Sequence, residues 1–238
     1  MSAILRGLLL CLLAIVALQL YFVARVATLV LVNPQSSAFQ RSEAWRLERA
    51  GTASHWRQQW LDYASISDAL KRAVITSEDD AFASHDGVDW DALHKAWERN
   101  ARAEQRSEQR GSARAPKIVG GSTISQQLAK NLFLSGERTL LRKAQEFVLT
   151  MLLEHLLGKR RILELYLNSV EWGEGVFGAE AAAQRYFHKS ASRLSNAEAA
   201  RLAVMLPRPK YFEKLPGSPY VAERAGVIEQ RMGGAQLP

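Results

Sequence analysis

The sequence predicts a mostly α-helical domain preceded by one N-terminal transmembrane helix, on two observations. Leu8 to Ala24 reads LLLCLLAIVALQLYFVA, and after Arg25 the run continues as VATLVLV up to Asn33-Pro34. That is long enough to cross ~30 Å of hydrocarbon as a helix. Downstream, apolar residues recur at helical spacing, and no run pairs apolar–polar alternation with the β-branched enrichment of a sheet. The expected division is an anchor over residues 1–34 and a single domain over 35–238.

Each element follows from local chemistry. The apolar run is too long for the core of a cleaved signal peptide, and no small-x-small cleavage site follows it, so an uncleaved anchor is expected. Arg6 precedes the span and Arg25, Arg41, Arg46 and Arg49 follow it, so a count of basic residues does not set its orientation. Ser67 suits an N-cap, with Leu70, Ala73 and Val74 as the apolar stripe behind it. Further helices are expected over Leu141 to Leu157, Arg160 to Asn168 and Ala197 to Met205. Trp97 to Pro116 reads as a surface helix fading into a mobile loop, because it is charged and ends in a Gly/Ser/Pro cluster.

Composition limits the chemistry. The 238 residues suffice for an anchor and one sizeable domain, and the net charge of +7 favours anionic partners such as nucleic acid, acidic lipid headgroups or phosphorylated substrates. Cys11 is the only cysteine, which excludes internal disulfides and cysteine-based zinc sites.

Three polar constellations stand out. SEDDAFASHDG, Ser77 to Gly87, places acids at the C-terminal end of the Ser67 helix, where the helix dipole disfavours them. Crowding there raises proton affinity, as a general base requires, although a solvated acidic turn has the same composition. His85 reads as a hydrogen-bonded structural residue. In GGSTISQQLAKN, Gly120 to Asn131, the two glycines permit close backbone approach and Ser122 is the expected cap of the next helix. Free N–H groups at such a helix start suit an anion or a sugar oxygen, while a plain N-cap with an exposed Gln-rich turn is the structural alternative. From Arg138 to Asn168, Arg142 and Glu146 sit at i and i+4, the spacing of a surface ion pair. The excess of Lys130, Arg138, Arg142 and Lys143 could instead hold a diphosphate.

Order and spacing of these stretches resemble the peptidoglycan glycosyltransferases, in the monofunctional membrane-anchored form. Glu78-Asp79 with Phe82, His85 and Gly87 fits the E-D-x-x-F-x-x-H-x-G motif of that family. Gly121 to Asn131 fits G-S-T-I-T-Q-Q-x-x-K-N, with Ser125 in place of the usual threonine, an exchange that keeps the hydroxyl. Arg142, Lys143 and Glu146 match R-K-x-x-E. Lys159 and ILELYLN with Gly173, Gly175, Gly178 and Ala179 match the fourth motif, and Leu194 to Ala203 with Glu198 the fifth. The likeness spans roughly residues 60 to 210; Glu98 to Arg114 lies outside every motif.

The resemblance implies a lysozyme-like, mostly helical fold with a small membrane-facing jaw, for which Phe133 and Leu134 are candidates alongside simple core packing. It implies polymerisation of lipid II into β-1,4 glycan with release of undecaprenyl diphosphate, on the outer face of the bacterial cytoplasmic membrane. By the same resemblance Glu78 is the base and Glu146 orients the leaving group, directly or through a divalent cation. No cofactor is required, Mg2+ being an option. Lys130 and Arg138 are the diphosphate ligands, supported by Arg142 and Lys143. Ser122, Gln126, Gln127 and Asn131 hold sugar and phosphate oxygens. Expected partners are lipid II, the growing strand, membrane lipid and other cell-wall synthesis or division proteins, not nucleic acid. A lysozyme-like hydrolase and a non-catalytic glycan-binding scaffold are the alternatives. The transpeptidase motifs Ser-x-x-Lys and Lys-Thr-Gly of the larger bifunctional relatives do not occur.

Overall fold

The computed structural model describes residues 2–109, 120–137 and 139–238. The chain is mostly helical, as the sequence predicts. Helix α1 (Ala3–Thr28) carries the apolar run and starts at Ser2, whose hydroxyl accepts the Leu5 N–H. Its first turns are exposed, while Phe22, Val26 and Leu29 are buried in the same core as the rest of the chain.

Helix α2 (Ala38–Arg49) begins with a capping box between Ser37 and Gln40. Helix α3 (Asp68–Glu78) starts at the expected cap, Ser67. Helix α4 (Trp90–Gln109) begins earlier than the composition of Trp97 to Pro116 suggested. The expected loop after it, from residue 110, lies outside the described residues. Next come α5 (Ile124–Phe133), α6 (Leu140–Leu156) and α7 (Lys159–Ser169), the last two within a residue or so of their expected bounds. The C-terminal part adds α8 (Ala179–Phe187), α9 (Asn196–Met205), the single-turn α10 (Pro209–Phe212) and α11 (Pro219–Arg231).

Sequence periodicity missed a small sheet. Strands β1 (Arg57–Gln58), β2 (Glu171–Gly173) and β3 (Val176–Phe177) form the order β1-β3-β2, β1 parallel and β2 antiparallel to β3. Strands of two or three residues are too short to show an alternation. Gly175, at φ 74°, makes the β2–β3 turn, where a Cβ would sit 3.1 Å from the His55 carbonyl oxygen; a left-handed residue pressed that close must be glycine.

Helix α3 lies against α9 and α11, while α5 packs between α6 and α7. Trp172, Tyr166, Phe82 and Phe177 are the largest fully buried side chains. Helix α1 docks on this body through α6. Gln19 and Gln145 exchange two amide hydrogen bonds, 2.9 and 3.2 Å. The Phe22 and Phe133 rings meet edge to face at 6.0 Å, so Phe133 packs on the anchor, and Leu134 too is partly buried against the core. Arg161 donates to the Leu29 and Val32 carbonyls and to Asn33. Leu140 and Leu141, at the start of α6, stand 91% and 84% exposed.

Because the last turns of α1 belong to the core, the site of truncation matters. Removing residues 2–16 is expected to leave the melting temperature in detergent unchanged. Removing residues 2–32 strips buried side chains worth ~1.5–3 kcal/mol each and should lower it by at least about 5 °C, at ~2–4 °C per kcal/mol. Thermal unfolding of both truncations checks this.

Candidate active site

The site forms where the end of α3 meets the start of α5. Helix α3 stops at Glu78, and Asp79 turns extended, at φ −164°. One Asp79 oxygen accepts the Ile124 N–H at 2.9 Å and the other lies 2.8 Å from His85 Nε2. Asp79 thus leaves the unfavourable end of one helix for the favourable N-terminus of another. Asp80 pairs with Arg231 at the surface. Of the three crowded acids, Glu78 lies nearest the cleft, behind Gln127, which lines it and bonds to the carboxylate, and His85 is the structural residue its sequence context suggested.

Helix α5 is capped by Thr123, not by Ser122 as expected. The Thr123 hydroxyl accepts the Gln126 N–H and donates to the Gly87 carbonyl, while Gln126 Oε1 accepts the Thr123 N–H. Thr123 immediately precedes the helix with an extended backbone and takes the cap, while Ser122 stands one residue further out. Ser122 is left exposed on the cleft wall. Gly87, at φ 88°, allows this closure, since a Cβ there would meet Met151 and Thr150 at 2.9 Å. Beneath α5, Ser125 donates to Glu154, which pairs with Lys159 at 2.8 Å, and Lys159 also donates to the His85 carbonyl.

A hydrogen-bonded relay sets Glu78. The Tyr166 hydroxyl, buried on α7, donates to Gln127 Oε1 at 3.0 Å, which turns the Gln127 amide nitrogen to donate to Glu78 at 2.9 Å. Burial raises the Glu78 proton affinity above its ordinary value; the Gln127 bond lowers it, Asp79 raises it, and Lys130 lowers it. Tyr166 was missed as a functional residue. It sits in the ILELYLN run, where its ring reads as core and only its hydroxyl carries the signal.

The cleft, about 530 Å3, is lined by Ser122, Gln126, Gln127, Lys130, Asn131, Arg142, Lys143 and Glu146. It thus gathers every expected binding residue except Arg138, which lies outside the described residues. Lys130 faces the open cleft. Partial desolvation lowers its proton affinity, Arg142 and Lys143 act in the same sense, and Glu146 and Glu78 oppose them. Glu146 is buried on α6, one oxygen 2.8 Å from Arg142 and the other held by Lys143. The i, i+4 pair is therefore real, but it is a buried one at the base of the cleft. The Arg142 Nε is buried with no hydrogen-bond partner among the described residues.

No group of three or more His, Cys, Asp or Glu side chains among the described residues could hold a metal ion. Glu146 brings one carboxylate already matched by two cations. These residues do not form a protein cage for a divalent ion.

The opposite wall was not foreseen. Phe39 and Ser42 of α2, Val170 and Glu171 before and at the start of β2, and Leu206, Pro207 and Pro209 complete it. Burial pushes the Glu171 carboxyl up to about 7, against the pull of Lys210 and with help from Glu43. These residues lie far apart in the chain, and nothing local in the sequence joins them. Glu198, in the fifth motif, belongs to the α9 capping box and pairs with Lys189.

The relay is testable by carboxyl-carbon NMR. Glu78 should titrate above 4.5, the ordinary glutamate value. Gln127→Leu removes a donor to the charged form and should move that midpoint further up. Tyr166→Phe, which frees the amide to turn, should move it the same way by less. A midpoint indifferent to both substitutions would refute the relay.

A family model described as Transglycosylase matches residues 46–233. The "Biosynthetic peptidoglycan transglycosylase" of Burkholderia thailandensis is 55% identical over 222 residues, covering 93% of this chain and 82% of the relative. Its namesake in Burkholderia pseudomallei is 54% identical with the same coverage. That of Paraburkholderia xenovorans is 50% identical, covering 93% of this chain and 88% of the relative. Over most of its length, and across every element that builds the cleft from α5 to α10, this chain belongs to the transglycosylase family.

Proposed function

We propose that the chain is a peptidoglycan glycosyltransferase that polymerises lipid II into β-1,4-linked glycan. One observation carries the mechanism. Glu78, partly desolvated and raised in proton affinity, is bonded to Gln127, which lines the same cleft as Lys130, and each of the two charged groups shifts the other's titration. A base directly behind a cationic cleft wall suits a displacement that consumes a hydroxyl proton and releases a diphosphate. Glu78 takes the proton of the acceptor 4-hydroxyl as that oxygen bonds to the donor's anomeric carbon. The α-linked carbon–oxygen bond to diphosphate breaks in the same step, leaving a β-linkage and undecaprenyl diphosphate.

Lys130 meets the charge that develops on the diphosphate. Arg142 and Lys143 support it, and Glu146 positions those two cations rather than touching the leaving group. Arg138 joins Lys130 on the family resemblance alone. Gln126, Gln127, Asn131 and Ser122 hold sugar and phosphate oxygens, and no step is routed through a divalent ion. Helix α1 anchors the protein in a membrane by length and composition. The finer topology, with the cleft on the outer face of the cytoplasmic membrane and the Leu140–Leu141 edge of α6 dipping into lipid as the jaw, is part of the proposal. A hydrolase of similar fold would have no diphosphate for Lys130 and its neighbours to neutralise, and a scaffold would have no use for a desolvated glutamate.

Labelled lipid II in detergent tests the reading: long glycan is expected, and cleavage of preformed polymer without synthesis would overturn it. Glu78→Gln should lower the rate by ~10²–10⁴-fold, the usual contribution of a general base. Its melting temperature at pH 8 should equal or exceed that of the parent. A carboxyl whose folded proton affinity is raised loses its stabilising contribution as pH rises through the folded pKa, and glutamine carries no charge to desolvate.

Lys130→Ala should depress turnover more than KM, because its charge matters most as negative charge builds on the diphosphate. An equal kcat in the alanine variant on detergent-solubilised lipid II would remove Lys130 from the leaving-group site.

A further inference from the structure

Beside the cleft, two buried carboxylates share one ammonium, Glu171 lining the cleft and Glu43 following the lining residue Ser42. Glu43 on α2 and Glu171 on β2 are 9% and 6% exposed. Lys210 of α10 bonds to Glu43 and lies 3.4 Å from Glu171. The rest of the charge nearby is already engaged. Arg46 lies 2.8 Å from Glu43 and 2.9 Å from Glu174, and Glu213 accepts the Glu174 N–H. Among the described residues Glu171 has, apart from Lys210, only the long Gly175 N–H contact, 3.4 Å. Arg46 reaches Glu43 and not Glu171, so Lys210 is the cation the two carboxylates share among those residues, and buried carboxylates on different elements repel more once a shared cation is removed.

Each of the three residues is tied to the cleft. Glu171 lines it directly, Ser42 precedes Glu43, and Pro209 precedes Lys210. We propose that Lys210 is a positioning residue which, by neutralising Glu43 and Glu171 together, holds the Phe39–Ser42 rim of α2 at a fixed distance from the cationic wall and so sets the width of the sugar-binding cleft. The sugar class rests on the proposed function; the clamp itself does not.

Two measurements on the full-length protein in detergent test it. Spin labels at Arg41→Cys and Glu137→Cys, in a Cys11→Ser background, report the distance across the cleft. Lys210→Met should broaden and lengthen that distance. Adding Glu43→Gln and Glu171→Gln to Lys210→Met should restore it, because the repulsion is gone. In kinetics on solubilised lipid II, Lys210→Met should raise KM roughly tenfold with kcat within about threefold. A merely stabilising ion cluster would lower the melting temperature and leave both distance and KM alone, which would overturn the proposal. So would a raised KM in Lys210→Met with the distance unchanged, since that makes the ammonium itself the substrate contact. Absence of polymerisation by the parent would sink the proposed function, while the distance measurement would still decide the clamp.

Discussion

The site depends on one carboxylate that does no chemistry. Asp79 joins the end of α3 to the first N–H of α5 and holds the His85 ring beside it. Helix α3 leans mainly on α9 and α11, and α5 on α6 and α7, although the apolar residues of both belong to one core. Asp79 fixes the end of the one against the start of the other at the edge of the cleft. The Tyr166–Gln127–Glu78 relay then builds on that fixed edge.

The electrostatic arrangement follows a single plan on each side. At the cationic wall, one buried glutamate, Glu146, holds two cations; at the far wall, one lysine, Lys210, holds two buried carboxylates. Arg46 adds a second cation on Glu43, so the clear surplus is the positive one around Glu146, next to the cleft. Glu78 stands apart from both, with an amide rather than an ion as its nearest partner. A carboxylate held by an amide keeps more affinity for a proton than one held by an ammonium.

Much of this was legible in the sequence, for reasons that differ by residue. Ser67 as a cap, helices α5, α6, α7 and α9 and the i, i+4 relation of Arg142 and Glu146 are local properties, encoded within a turn or two. Glu78 and the cations became legible as a set through their order along the chain. What stayed hidden was non-local. Asp79 reads as one acid in a run of three until its partner, Ile124, is brought up from 45 residues away. Thr123 and Ser122 are equivalent as hydroxyls, and only backbone conformation separates cap from cleft wall. Phe39, Glu171 and Pro209 share a wall without sharing a segment. The short strands are below the length at which alternation exists.

The docking of α1 has a mechanical meaning. A helix joined to its domain by a slack linker lets that domain tumble, so an opening meets the bilayer at every angle and height. Here the reciprocal glutamine bonds, the Phe22–Phe133 contact and the Arg161 bonds to the helix end suppress that tumbling. On the proposed mounting of α1 in a membrane, the body is held on its post and the cleft keeps one inclination to the membrane plane while the whole molecule diffuses laterally. A lipid-borne ligand, itself held in that plane by its tail, then needs to search two translations and one rotation to enter.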